Sequence, residues 1–338
     1  MLSIKNTVKT LFDITPSNIS EAILTSDEPL VLKGFGSDWL IVKAAQRSNE
    51  QAVEYLKNME KGIAINACYL EAKEQGRIFY NDDMSGFNFQ TKTQILSDVL
   101  LEILEQANCK TPKTIYIGST SIKQILPSLV EETLASPLLS NAIYNIWLGN
   151  KSKVAAHFDF LQNLACCVVG KRRFTLFPPE QIKNLYCGPL DKAPGGQPIS
   201  MVDFDQPDFD KFPKFKAAID TAMVAELEAG DAILLPSMWF HHVEGLGDLN
   251  VLLNHWWRTS PAYMGNPTDT LHHAILSIRD LPKAQRNAWK HLFDHYVFEH
   301  DKDNFNHIIN SAKSILDSPL NELQARSLRA NLQNKLRR

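Results

Sequence analysis

The 338-residue sequence holds five cysteines, Cys68, Cys109, Cys166, Cys167 and Cys187, and no two of them stand in a Cys-x-x-Cys pair. That spacing's zinc and redox motifs are excluded, and an odd number cannot all pair within one chain, so a reducing compartment, the cytoplasm, is expected. No apolar run approaches the roughly 18 residues of a membrane span. Residues 1–20 carry Lys5 and Lys9 but no apolar stretch ahead of a small-residue cleavage site, so neither a membrane anchor nor a cleaved leader is expected. An excess of charge of one sign is also missing. With 35 Lys and Arg against 38 Asp and Glu, the net charge is -3, and no global basic field points to nucleic acid or an anionic membrane. No repeat or low-complexity segment is present either. What the chain has is 44% hydrophobic residues, ample for a buried core in one large domain with additions or in two modest ones.

The texture changes along the chain. Residues 1–113 mix signals: Pro29-Leu30-Val31-Leu32-Lys33-Gly34 reads as a short strand ended by glycine, while Thr93 to Gln106 has Ile95, Leu96, Val99, Leu100, Ile103 and Leu104 at helical spacing. This predicts an α+β lead-in packed on a β-rich core. Residues 114–260 are short apolar segments separated by Gly, Pro, Asn and Asp: Thr114–Gly118, Ala142–Gly149, Leu164–Gly170, Arg173–Pro178, Ala232–Pro236 and Asn250–Trp257. Many short strands with turn signals predict a β-sandwich or barrel of jelly-roll type. Between them, Asp191 to Pro213 is polar and irregular, a surface loop packed by Phe204 and Phe209 or a lid at a site mouth. Residues 261–338 read as a helical extension. Ile308, Ile309, Ala312, Ile315 and Leu316 mark one face, Ser318-Pro319 resembles an N-cap with Pro at N1, and a last helix carries Ala325, Leu328, Leu332 and Leu336. Such a stripe needs a partner surface, either the β-core or the same helix of a second subunit, and a homodimer is expected.

Chemistry concentrates in two places. In Val154-Ala155-Ala156-His157-Phe158-Asp159, His157 and Asp159 project to one face of a strand. Downstream, Gly230-Asp231 and an apolar strand lead to Trp239-Phe240-His241-His242, whose aromatic residues keep a reactive site dry. Two imidazoles and one carboxylate can occupy one face of an octahedral metal and leave the other open, as a non-haem Fe(II) oxygenase requires. Adjacent strand residues face opposite ways, so one of His241 and His242 binds metal, and spacing alone does not choose. Gly170-Lys171-Arg172-Arg173 enters a strand beside this set; at least one of the three cations faces inward and is costly there unless an anion meets it. Asn254 and Trp256 share a face. His255 and the histidines of the tail read as packed or solvated, and Cys166 and Cys167 as core.

The run Trp147 to Trp257 resembles the JmjC/cupin-like Fe(II)- and 2-oxoglutarate-dependent oxygenases, and within them the asparaginyl-hydroxylase branch and bacterial cupin-like (cupin 8) proteins. The stretches that carry the likeness are Ala156-His157-Phe158-Asp159 with Gln162-Asn163, Leu176 to Gln181, Val202 to Phe209, and Gly230-Asp231 through His241-His242 to Asn254-His255-Trp256. The resemblance implies a double-stranded β-helix with helices outside it. It implies Fe(II) held by His157, Asp159 and His241, and 2-oxoglutarate and O₂ consumed to hydroxylate a C–H bond, with succinate and CO₂ as coproducts. Asn163, Asn254 and Trp256 fall at positions lining the cosubstrate and metal pocket. Tyr116 and Arg172 fall where the far carboxylate is held, Arg172 replacing a lysine. A family threonine is replaced by Val154, which cannot donate a hydrogen bond. The expected target is a protein or peptide side chain. Alternatives are a small molecule, a methyl-lysine or an RNA base, or a barrel that binds without turnover; nucleic acid and membrane are not expected as partners.

Overall fold

A computed structural model describes residues 2–337, which divide after Thr259 into two compact units. The first is built on two β-sheets. Along the chain, Ile143–Gly149, Gln162–Val169, Ala232–Leu235 and Asn250–Trp257 fall in one sheet, and Ser152–His157, Lys171–Phe177, Met223–Glu228 and Phe240–Gly245 in the other. All pairings among these strands are antiparallel. Two antiparallel sheets entered in turn in this way form the double-stranded β-helix of the cupin fold.

The lead-in continues both sheets. Leu30–Leu32 pairs with Ala232–Leu234 and carries Lys9–Leu11 on its far side; at the opposite edge stand Thr114–Ser121, Ile65–Leu70 and Gln90–Gln94. Asn6–Thr7 and Arg77–Ile78 flank the smaller sheet. Thr93 and Gln94 close a strand, and the helix begins only at Leu96. Apolar spacing from Ile95 onward is helical, but Thr91 and Thr93 suit the strand's pleat and pair with Cys68 and Asn66.

The near-continuous apolar run of Gln162–Val169 follows from both its faces being covered. Leu164, Cys166 and Val168 join the large cluster formed with Ile41, Val42, Val53, Leu56, Val99 and Leu100 of the outer helices Leu40–Arg47, Asn49–Lys57 and Leu96–Gln106. Ala165 and Cys167 point between the sheets toward Phe174, Leu176, Leu227, Ile233 and Leu252. His255, fully buried, packs edge-on against Tyr144 and faces the carbonyls of Leu164 and Thr133; burial lowers its pKa to about 4, so it stays neutral in the core.

In the second unit the expected face over Ile308–Leu316 is not one helix. Asn310–Lys313 and Ser314–Leu316 are two short turns, broken where Ser314 takes φ +51°. The last helix, Glu322–Leu336, is capped by Asn321 rather than Ser318. The Asn321 side chain accepts from the Gln324 backbone N–H and the Gln324 side chain reaches back to the Asn321 N–H, a reciprocal pair that Ser318 lacks. His295 and His300 pack around buried Phe305, while Leu276, Phe298, Ile309 and Leu323 are exposed. No helix among the described residues is long and apolar enough to cross a membrane.

One carboxylate ties the lead-in to the barrel. Buried Asp231 accepts from the backbone N–H of Gly34 (2.9 Å) and of Glu228 (2.9 Å) and from Lys33 Nζ (2.7 Å), and Gly34 reaches it with φ +72°. Asp231→Ala leaves two backbone donors unmet and is expected to cost about 2–4 kcal/mol. Urea unfolding followed by tryptophan fluorescence checks this; a midpoint unchanged from the parent would show that the clamp carries no stability.

Candidate metal centre and its cavity

His157 ends the strand Ser152–His157, and His241 is second in Phe240–Gly245, directly opposite it in the antiparallel register. Cross-strand neighbours stand close enough for their side chains to share a site, and the two imidazole centroids are 4.3 Å apart. Asp159 lies beyond the strand end, so strand alternation does not place it as the sequence suggested. The loop does: Met238 N–H donates to the Asp159 carbonyl (2.7 Å), and Ser237 Oγ donates to the Phe160 carbonyl (3.1 Å). Asp159 Oδ2 thereby comes to 3.7 Å from His241 Nε2. One donor atom from each of His157, Asp159 and His241 lies within 4.8 Å of the others, and no other such cluster of three exists among the described residues.

The ring orientations follow one local rule. His157 Nδ1 faces the Ala155 carbonyl (2.9 Å) and His241 Nδ1 faces the Trp239 carbonyl (3.0 Å), in each case two residues back. A carbonyl can only accept, so both Nδ1 atoms carry the proton and both Nε2 lone pairs are available to a cation. Burial, then the neighbouring His157, holds the His241 pKa down to about 4, which keeps that lone pair unprotonated at neutral pH. His242 turns to the opposite face, where its ring lies 4.5 Å from that of Phe204. The donor set, two neutral imidazoles and a carboxylate on one side of an open cavity, fits Fe(II).

Of the three consecutive cations, Lys171 pairs with Glu228 (2.7 Å) and Arg173 with Glu226 (3.7 Å). Arg172 is the inward one, 2% exposed, in an inner recess with Tyr116, Trp147, Val154, Asn163 and Asn254 beside the triad. Its Nη2 donates to the Trp147 carbonyl (3.1 Å), its Nε has no partner, and no carboxylate pairs with it among the described residues. Burial lowers its pKa, opposed by Tyr116 and Cys167. A buried guanidinium without a counter-ion is a costly arrangement that a bound anion relieves. Asn254 Nδ2 donates to Asn163 Oδ1 (2.9 Å), leaving Asn254 Oδ1 unpaired. Sequence reasoning misses Trp147, yet its period-2 phase marks it: Tyr144, Ile146 and Leu148 join the cluster under the helices, so Trp147 faces the interior.

Outside the recess the site opens into a cavity of about 510 Å³ that shares Tyr116, Trp147, Val154, His157 and Asp159 with it and adds Trp256. The irregular segment 191–213 borders this cavity at one end and packs against the core at the other. Pro194, Gly195, Gln197 and Ile199 line this cavity, while Phe204 packs against Phe177 and Phe215. Two further cavities do not reach the triad: one of about 430 Å³ lined mainly by polar residues of the lead-in, and one of about 780 Å³ shared between the lead-in, Lys153 and residues 201–212.

Residues 16–263 match the family model described as cupin-like domain. Among curated proteins, the chain is 26% identical over 166 residues to lysine-specific demethylase JMJ31 of Arabidopsis thaliana, covering 46% of this chain and 29% of that protein. It is 30% identical over 148 residues to tRNA wybutosine-synthesizing protein 5 of Gallus gallus, covering 39% and 43%. It is 36% identical over 107 residues to JmjC domain-containing protein D of Dictyostelium discoideum, covering 31% and 23%. The chain spans less than half the length of each of these relatives.

The geometry predicts one divalent cation per chain, measurable by anaerobic titration with Fe(II) or Co(II). Asp159→Ala removes the only anionic donor and is expected to weaken binding by at least about 100-fold, beyond the 10–100-fold that loss of an outer partner brings. Unchanged occupancy would remove Asp159 from the centre.

Proposed function

The chain belongs to the cupin-like domain family, of the JmjC type, and on that premise we propose that it is an Fe(II)- and 2-oxoglutarate-dependent dioxygenase that hydroxylates a C–H bond of a protein or peptide side chain. The observation that carries the proposal is a pairing. An oriented His157–Asp159–His241 triad shares its recess with a buried guanidinium, Arg172, that has no carboxylate partner among the described residues.

Each group then has a task. The two Nε2 lone pairs and the Asp159 carboxylate would hold the iron, which would supply, with 2-oxoglutarate and O₂, the oxidising chemistry that yields succinate and CO₂. Arg172 and Tyr116 would hold the far carboxylate, the guanidinium offering a planar fork of donors where a lysine would offer a point charge. The Asn163–Asn254 amide pair presents a free carbonyl oxygen to the recess. Val154 adds only an apolar wall, so affinity for the cosubstrate rests on Arg172 more heavily than it would with a donor at that position. Trp147 and Trp256 exclude water from the reacting face.

The names of the relatives support a second target for the same chemistry. Hydroxylation of an N-methyl carbon ends in demethylation, and a tRNA base offers C–H bonds as well. Mass spectrometry separates these outcomes, as gain of one oxygen or loss of a methyl group. A barrel that binds without turnover is the remaining alternative.

The test is anaerobic binding of 2-oxoglutarate to the Fe(II)-loaded protein, followed by succinate release in air; iron-loaded protein that neither binds nor decarboxylates 2-oxoglutarate would end the proposal. Arg172→Ala is expected to raise the Kd for 2-oxoglutarate by at least about 30-fold, the equivalent of about 2 kcal/mol for a lost buried charge contact, while leaving iron affinity nearly unchanged. Equal cosubstrate affinity in the two proteins would take Arg172 out of the site.

A further inference from the structure

We infer that the outer cavity takes an uncharged, apolar side chain presented by a peptide, and turns away ammonium groups and nucleotides. This rests on the oxygenase reading above and narrows its substrate. Its apolar walls include Ile78, Phe89, Trp147, Leu161, Ile199 and Trp256, and among the lining residues Asp159 alone carries a charge. That charge belongs to the triad, where it faces His241 Nε2. Aromatic walls attract a cation, but an ammonium here would lie beside a divalent metal and find no other carboxylate, so its desolvation goes uncompensated.

A phosphate fares no better, because no lysine or arginine among the described residues lines this cavity. The basic residues near its borders are engaged elsewhere. Lys192 Nζ donates to the Met84 and Ser85 carbonyls, Arg77 stacks on Phe79 and pairs with Asp203, and Lys153 pairs with Asp205. Nucleic acid needs a basic track that this mouth does not offer.

The polar groups that remain suit a peptide. Trp147 Nε1 and Trp256 Nε1 are buried donors without acceptors, on rings that wall the cavity. Gln197 and Ser119 also border it, and an amide such as that of Gln197 both donates and accepts, the complement of a backbone peptide group. An apolar side chain fills the aromatic pocket while its own backbone meets Gln197.

The test uses the full chain loaded with Zn(II) and isotope-labelled at tryptophan, with the two indole N–H resonances assigned by Trp147→Phe and Trp256→Phe. Three probes are titrated with and without 2-oxoglutarate: N-acetyl-leucine methylamide, its trimethyl-lysine counterpart and guanosine monophosphate. The leucine probe is expected to shift both resonances saturably and to bind at least about tenfold more tightly than the other two. Gln197→Glu, one carboxylate added at the lip, is expected to reverse the order of the two amide probes. A stronger response to trimethyl-lysine or to the nucleotide in the parent protein, no response to any probe, or an unaltered order in Gln197→Glu overturns the inference. Calorimetry of 2-oxoglutarate binding reports separately on the oxygenase reading, so the two can fail independently.

Discussion

The antiparallel register between Ser152–His157 and Phe240–Gly245 is the constraint on which the site depends. Because strand side chains alternate with period 2, a slip of one residue would bring His242 opposite His157 and turn His241 toward Phe204. The neighbouring strand fixes the same phase, with Leu176 beside His241 and Thr175 beside His242. Both imidazoles are then aimed by carbonyls of their own strands or of the turn just before them, so register and ring orientation are set by backbone alone. Only Asp159 requires a loop, and that loop is fastened to the segment that precedes His241.

Around this frame the electrostatics are divided sharply. The inner recess holds a guanidinium that burial penalises, next to an amide oxygen, and neither finds a counter-ion or donor among the described residues. The outer cavity holds almost no charge at all. Leaving buried polar groups unpaired costs free energy in the empty protein, and a ligand that satisfies them recovers it on binding. The recess therefore favours an anion, and the cavity beyond it an uncharged group.

Much of this is legible in the sequence because it follows from periodicity. The core strands, the inward position of one of three consecutive cations, and the opposition of His241 to His242 are all period-2 statements. Periodicity alone does not choose Arg172 over its neighbours, and the family resemblance does; the physical reason lies in the structure, since Glu228 and Glu226, the partners of Lys171 and Arg173, lie more than fifty residues downstream. Asp159 reads as a strand residue because local spacing does not reveal where a strand ends. Trp147 escapes notice although its phase is visible, because an apolar residue among apolar residues reads as core until the cavity beside it is known. In the tail, apolar spacing suggests a helix over 308–316, but spacing carries no information on the positive φ of Ser314 that interrupts it.

The recess and the outer cavity are lined by different stretches of chain. The first is bounded almost wholly by core strands, the second also by Cys68, Ile78 and Phe89 of the lead-in and by the segment 194–199. Gly195 in that segment has open space where a side chain would project, whereas the φ of +86° at Gly196 favours glycine there. Insertions or substitutions there can remodel the entrance while the register of the barrel stays intact. The scaffold thus keeps the triad and the entrance on separate stretches of chain, so that a change in the loop can reshape the opening without disturbing the frame behind it.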